Sequence, residues 1–267
     1  MSTSDDGVLV EVADRVAVIT MNRPAQRNAL NRAVRRALPA AITACDADDG
    51  VDVMILTGAD PAFSAGIDLK EVAAGGAGAD PTEMGSPTAR VRHRGALPPR
   101  TKPLIGAVNG VAVTGGFEVA LNCDFLVASD RARFADTHAR VGVMPGWGLT
   151  VLLAQRIGVA RAREMSLTGN YIDATTALAW GLVNHVVPHD DLLSFSRALA
   201  ADIVSNDQAG VRRMLRTYAE VTDTTVAEGW EIEARVSRDW DGPGFDPASI
   251  AARRGAILER GRAQIGD

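Results

Sequence analysis

The sequence predicts an α/β fold, and three observations carry that expectation. Short β-rich apolar runs alternate with segments whose apolar residues recur at helical spacing. Two of the runs end in Gly-containing turns that lead into helical patterns, and from Asp190 onward the pattern is helical alone. A chain of 267 residues is long enough for one α/β domain, or for a domain with an appendage, and for an ample buried core.

Taken in order, residues 16–21 and 51–57 read as strands. Between them, residues 28–45 carry Leu30, Val34, Leu38, Ala41 and Cys45 at helical spacing, with Asn28 placed as the expected N-cap. Pro39 sits inside that helix and removes the bond to the carbonyl of Arg35, which predicts a kink or an early end. Residues 104–108 and 125–128 give further strands, with a short helix expected from Gly116. Between residues 73 and 100 the composition shifts to Gly, Ala, Pro and Arg, the mark of a functional lid or of disorder. Val211, Met214, Leu215, Tyr218 and Val221 then line one helix face, and a last helix is expected with Asp246 as cap and Pro247 in its first turn. The expected division is a core over residues 1–189 and a helical region over 190–267.

Composition excludes several functions. The net charge is -5 and no Lys/Arg-rich run appears, so the electrostatic footprint of a nucleic-acid binder is missing. The two cysteines, Cys45 and Cys123, lie in apolar segments where a reduced buried thiol is expected. The N-terminus is polar and acidic and no apolar run approaches a membrane span, so a soluble cytoplasmic protein is expected. No spacing links the four histidines as metal ligands, and no dinucleotide fingerprint, phosphate loop or GxSxG elbow is present. No bound metal and no cofactor are therefore expected.

The chemistry concentrates in the two Gly-containing turns, AFSAGIDLKE from Ala62 and NGVAVTGGFEVA from Asn109. A backbone N–H offered at the start of a helix meets negative charge with a fixed donor and the positive end of the helix dipole. Two such turns look like a divided oxyanion hole for an enolate or thioester oxygen. AFSAGIDLKE, then KPLIGAVNG running into TGGFEVALNCD, resembles the enoyl-CoA hydratase/isomerase (crotonase) superfamily, over roughly residues 16–188. The resemblance implies a spiral of repeated ββα units and a C-terminal helical region that packs subunits into trimers, often paired as hexamers. It implies an acyl-CoA thioester as substrate, with coenzyme A part of the substrate and no separate cofactor.

Carried over by position, the resemblance places the two oxyanion donors on the backbone N–H of Ile67 and Gly115, with Thr114 where the family usually has a third Gly. It makes Glu118 a carboxylate beside the thioester, able to act as general acid/base. Alone, Glu118 would read as a residue that complements the dipole in a first helical turn. The CoA moiety is implied to pass Ala25, Gln26 and Arg27 and the run holding Ala65, Asp68, Leu69 and Lys70, with Arg27 and Lys70 as phosphate partners or solvated charges. Gly146 and Trp147 fall at the acyl pocket. Gly146 would admit a water or acyl group, and Trp147, in place of a small residue, is either core or a wall that reshapes the pocket.

The main departure is at residues 134–142, where typical hydratases place a second glutamate and this chain has His138. Two readings stand: a catalytic imidazole titrating near pH 6.5, or a wall residue that fills space. Asp136 and Arg140 are close in sequence without needing to face the pocket. His93, His185 and His189 rank below His138. The expected activity is hydration of a 2-enoyl-CoA; the alternatives are isomerisation, dehydration or decarboxylation on an acyl-CoA, or acyl-CoA binding with weak catalysis.

Overall fold

The computed structural model describes residues 6–73, 95–240 and 247–265. The chain divides into two compact units, residues 1–212 and 213–267. In the first unit, β1 (Val8–Ala13) and β2 (Val16–Met21) form an antiparallel hairpin. Its two loop residues, Asp14 and Arg15, both take positive φ, which matches the right-handed twist of the flanking strands. After α1 (Arg32–Ala47), a ββα unit follows and is then repeated twice. The units are β3 (Val53–Gly58), β4 (Ala62–Ser64), α2 (Leu69–Ala73); β5 (Leu104–Val108), β6 (Val111–Val113), α3 (Gly115–Leu121); and β7 (Phe125–Ser129), β8 (Arg133–Ala135), α4 (His138–Val141).

The repeat is a spiral. First strands of successive units lie side by side in a six-stranded sheet of order β1-β2-β3-β5-β7-β10, which ends on β10 (His185–Val187). Second strands stack likewise in a four-stranded sheet, β4-β6-β8-β9, which ends on β9 (Ile172–Asp173). Neighbouring second strands pair parallel, so the three β-to-α connections emerge at the same edge. α5 (Leu149–Ile157), α6 (Val159–Thr168) and α7 (Ala174–Trp180) lie between β8 and β10 in the chain.

β3 is buried at every position because both faces of the large sheet are covered. One face joins a cluster that includes Ile19, Met54, Leu56, Leu104, Leu126 and Phe134. Against the other, α8 (Leu192–Val204) packs Leu192 and Ala200 on Val16, Val18, Val53, Ile55 and Val127. α8 therefore belongs with the core, and the first unit runs to Arg212 rather than ending at residue 189 as the sequence suggested. In the second unit, α10 (Val226–Trp240) and α11 (Pro247–Ile265) follow the end of α9 (Gln208–Thr222). Pro247 opens α11 as expected, whereas its expected cap, Asp246, lies outside the described residues.

Other local expectations are corrected. The cap of α1 is Asn31, whose side chain accepts from the Val34 N–H at 3.0 Å. Asn28 instead takes positive φ, and its amide donates to the carbonyls of Ala59 and Ala62 at 2.7 and 2.6 Å, tying the first loop to the turn before β4. Pro39 does not end the helix, which runs 16 residues with Val34, Leu38, Ile42 and Cys45 buried. Tertiary packing of that face outweighs one missing backbone bond. Strand β3 begins at Val53, two residues later than expected, and α3 at Gly115, one residue earlier. Both cysteines are free and buried, and burial pushes the Cys123 thiol up to about 12.

Candidate active site

The three β-to-α connections of the spiral converge. Ser64 lies opposite Ala112, and Val113 opposite Ala135, so the ends of β4, β6 and β8 are neighbours. Gly66, at φ +81°, passes so close to the second connection that a Cβ would stand 2.8 Å from the Val113 carbonyl oxygen and 3.1 Å from the Thr114 Cβ. Thr114 and Thr137 join the second connection to the third through a hydroxyl pair at 2.7 Å. Thr114 itself takes φ +50°, a conformation a β-branched residue rarely adopts and one that clusters at functional sites.

This convergence brings the expected donors together. A Cβ on Gly115 would lie 3.3 Å from Ile67 Cγ1, and among the described residues no acceptor is recorded for the N–H of either Ile67 or Gly115. The bridge between Leu30 and Ile67 uses the flanking Gly66 carbonyl and Asp68 N–H, which leaves the Ile67 amide outside that pairing. The Trp147 indole approaches within 2.9 Å of the same Cβ position on Gly115. Trp147 is thus buried, at 8% exposure, and also a wall of the site.

Three ionisable side chains, Glu118, His138 and Asp136, form a buried chain. Glu118, in the first turn of α3, accepts through Oε1 from the Trp147 N–H at 2.7 Å and from the Leu149 N–H at 3.3 Å. Its Oε2 stands 3.5 Å from His138 Nε2. His138 Nδ1 is 2.6 Å from Asp136 Oδ1, which also accepts the His138 backbone N–H at 3.1 Å. Glu118, Asp136 and His138 are all 2–3% exposed. Burial alone would lower the His138 pKa, but hydrogen bonds and charge from Asp136 and Glu118 outweigh it and raise the value to about 9. Burial works to raise the Asp136 carboxyl, yet hydrogen bonds from His138 and Ser166 hold it below its ordinary value. The two carboxylates therefore favour the charged imidazole, an upward shift from the ordinary value near 6.5.

A pH dependence of stability follows. The folded pKa of His138, about 9, exceeds the unfolded value of about 6.5, so its contribution is complete below about pH 6.5 and is lost as pH rises through about 9. Urea unfolding at pH 6 and at pH 9.5 is expected to show a steeper loss for the native protein than for His138→Gln. Equal losses in the two proteins would overturn this assignment.

The segments expected to pass the CoA moiety also meet. Pro24–Gln26 forms a single 3-10 turn, Ala65 N–H donates to the Arg27 carbonyl at 2.9 Å, and Leu30 N–H to the Gly66 carbonyl at 2.8 Å. Ala25, Gln26, Arg27, Leu69 and Lys70 are exposed beside this seam. Asp68 is engaged: it pairs with Arg23 at 3.2 Å and accepts from the Lys70 N–H at 3.2 Å. Gly146 is exposed, with nothing within 4 Å of a Cβ built on it. His185 packs on Phe195, and His189 lies between Ser129 and Asp60, so neither belongs to the Glu118 cluster. His93 and most of the segment 73–100 lie outside the described residues. The residue that sequence reasoning passed over is Asp136; its signal was the Asp-Thr-His spacing, which lets one carboxylate reach both the backbone and the ring of His138.

A family model described as "Enoyl-CoA hydratase/isomerase" matches residues 11–241. The chain belongs to the enoyl-CoA hydratase/isomerase family. A family member of Arabidopsis thaliana, named "Probable enoyl-CoA hydratase 1, peroxisomal", is 43% identical over 202 residues, covering 74% of this chain and 73% of that protein. The "Crotonyl-CoA hydratase" of Syntrophomonas wolfei is 33% identical over 230 residues, covering 86% and 87% of the two chains. The crystal structure of an enoyl-CoA hydratase from Mycobacterium tuberculosis H37Rv is 48% identical, with a TM-score of 0.73, covering 87% of this chain and 98% of that one. Among the described residues no group of three or more His, Cys, Asp or Glu is arranged to hold a metal ion, and no helix is long and apolar enough to cross a membrane.

Proposed function

We propose that this chain adds water to a 2-enoyl-CoA. The observation that carries this reading is the buried Glu118–His138 contact at 3.5 Å, set beside the adjoining amides of Ile67 and Gly115 in a member of this family. In the reaction the two amides hold the thioester oxygen and stabilise the enolate charge that develops on it. Glu118 takes a proton from water as its hydroxyl adds to the β-carbon, and His138 gives its Nε2 proton to the α-carbon. The product carries both water hydrogens' equivalents, leaving Glu118 protonated and His138 neutral. Proton passage from Glu118 Oε2 to His138 Nε2 then restores the starting state.

The names of the relatives support an acyl-CoA substrate, and the meeting of residues 25–27 with 65–70 supports a CoA path along that seam. We take the protein to act in the cytoplasm without a separate cofactor, as a trimer or hexamer; Met214, Tyr218, Val226 and Trp230 in the second unit are exposed apolar residues suited to subunit contact. The test is loss of the conjugated enoyl absorbance of crotonyl-CoA, together with a thermal-shift panel of acyl-CoA, NAD and ATP. Saturating acyl-CoA is expected to raise the melting temperature and the nucleotides to do much less. Stabilisation without turnover of crotonyl-CoA would move the reading to another acyl-CoA reaction or to binding alone, and no stabilisation would remove the CoA site.

A further inference from the structure

We propose that Asp136 is a positioning residue that holds His138 in its charged form, with the Nε2–H directed at the Glu118 side of the site. The inference rests on the hydratase reading for its kinetic consequence, but its structural content can be tested separately. One carboxylate oxygen of Asp136 accepts both the ring Nδ1–H of His138, at 2.6 Å, and its backbone N–H, at 3.1 Å. A short side chain two residues upstream thereby fixes ring and main chain together.

The two ends of the imidazole differ. Nδ1 makes a short hydrogen bond to a carboxylate that is itself held, whereas Nε2 stands 3.5 Å from Glu118, beyond a good hydrogen bond. The proton on Nδ1 is committed to Asp136, so the one free to move is on Nε2. A buried histidine without a negative partner loses its proton near neutral pH because desolvation disfavours the charged form. Asp136 and Glu118 are the ionisable groups acting on the ring. The charged residues of α6, the helix packed against α4, are Arg161, Arg163 and Glu164, and all three are exposed.

The role of Asp136 also explains why a histidine serves in this position. An imidazole carrying a committed partner on one nitrogen offers a single defined proton on the other, because the hydrogen bond at the first nitrogen fixes both the tautomer and the ring orientation.

The experiment compares the native protein with Asp136→Asn. The amide keeps the shape and one acceptor but removes the charge. Nitrogen-15 NMR of the histidine rings follows the titration of His138, assigned by comparison with His138→Gln, and crotonyl-CoA hydration is followed from pH 5.5 to 10. The expected result is a His138 midpoint at least one pH unit lower in Asp136→Asn. The alkaline limb of kcat should shift by the same amount, so that kcat falls about twofold at pH 8 and about tenfold at pH 10 for a shift of one unit, and KM should change less than threefold. An unchanged His138 titration in a folded Asp136→Asn protein overturns the proposal whatever the activity. So does a loss of kcat that is uniform across pH, which a merely structural role would give. If the ring titration shifts but the native protein hydrates no enoyl-CoA, the positioning of His138 stands and the hydratase reading fails.

Discussion

Glu118→Gln is expected to lower turnover by roughly 10²- to 10⁴-fold while leaving the protein folded. Glutamine has the shape of glutamate but cannot take a proton from water. The surroundings sharpen this expectation. One oxygen of Glu118 receives the Trp147 and Leu149 N–H groups and the other faces His138 Nε2, so every contacting group around the carboxylate is a donor. An amide satisfies only one side and turns its NH₂ toward the other, which costs about 1–3 kcal/mol of stability. The loss of its charge also lowers the His138 pKa, since Glu118 is one of the two groups that raise it. Steady-state kinetics, product-analogue affinity and urea unfolding measured together separate these effects. Turnover within threefold of native would assign Glu118 to structure alone.

Gly116→Ala is expected to destabilise the fold at or above the upper end of the roughly 1–3 kcal/mol typical of overpacking, and to lose most turnover. A Cβ there would stand 2.5 Å from the Ser64 carbonyl oxygen and 2.6 Å from the Ser64 Cβ. Ser64 has nowhere to go. It is fully buried, its hydroxyl donates to the Asn28 carbonyl at 2.8 Å and accepts the Gly66 N–H at 3.2 Å. Moving Ser64 therefore moves the turn that carries Ile67 away from α3, and the Ile67 and Gly115 amides separate. Gly146→Ala is the contrast, because a Cβ there meets nothing within 4 Å, and its stability is expected to stay within about 0.5 kcal/mol of native. A Gly116→Ala protein as stable and active as the native one would refute this account of how the two turns are held together.

Glycine and glutamate positions were readable because their chemistry is local. The Gly-containing turns after apolar runs, Glu118 in a first helical turn, and the helical pattern beyond Asp190 each follow from a few consecutive residues. Alternation of strand and helix, and with it the α/β class, was legible for the same reason. What misled was also local. Asn28 and Asn31 are equally good caps by composition, and only the hydrogen bonds to Ala59 and Ala62 draw Asn28 away from the helix. Pro39 carries a real penalty within its own turn, but the buried face of α1 decides the outcome. β4, β6 and β8 are three residues each, too short for periodicity to register.

By itself, then, the sequence determined the class of fold and the two turns, and it singled out Glu118 and His138 as candidates for proton transfer. Tertiary structure decided which of those groups meet and which charge state of His138 its surroundings favour. Parallel stacking of β4, β6 and β8 sets Ile67, Gly115 and His138 at one edge although they lie on three separate turns of the spiral. The imidazole of His138 could have been neutral wall or charged acid. Its state depends on desolvation opposed by two carboxylates at 2.6 and 3.5 Å, a balance that exists only once Asp136 and Glu118 are folded around it.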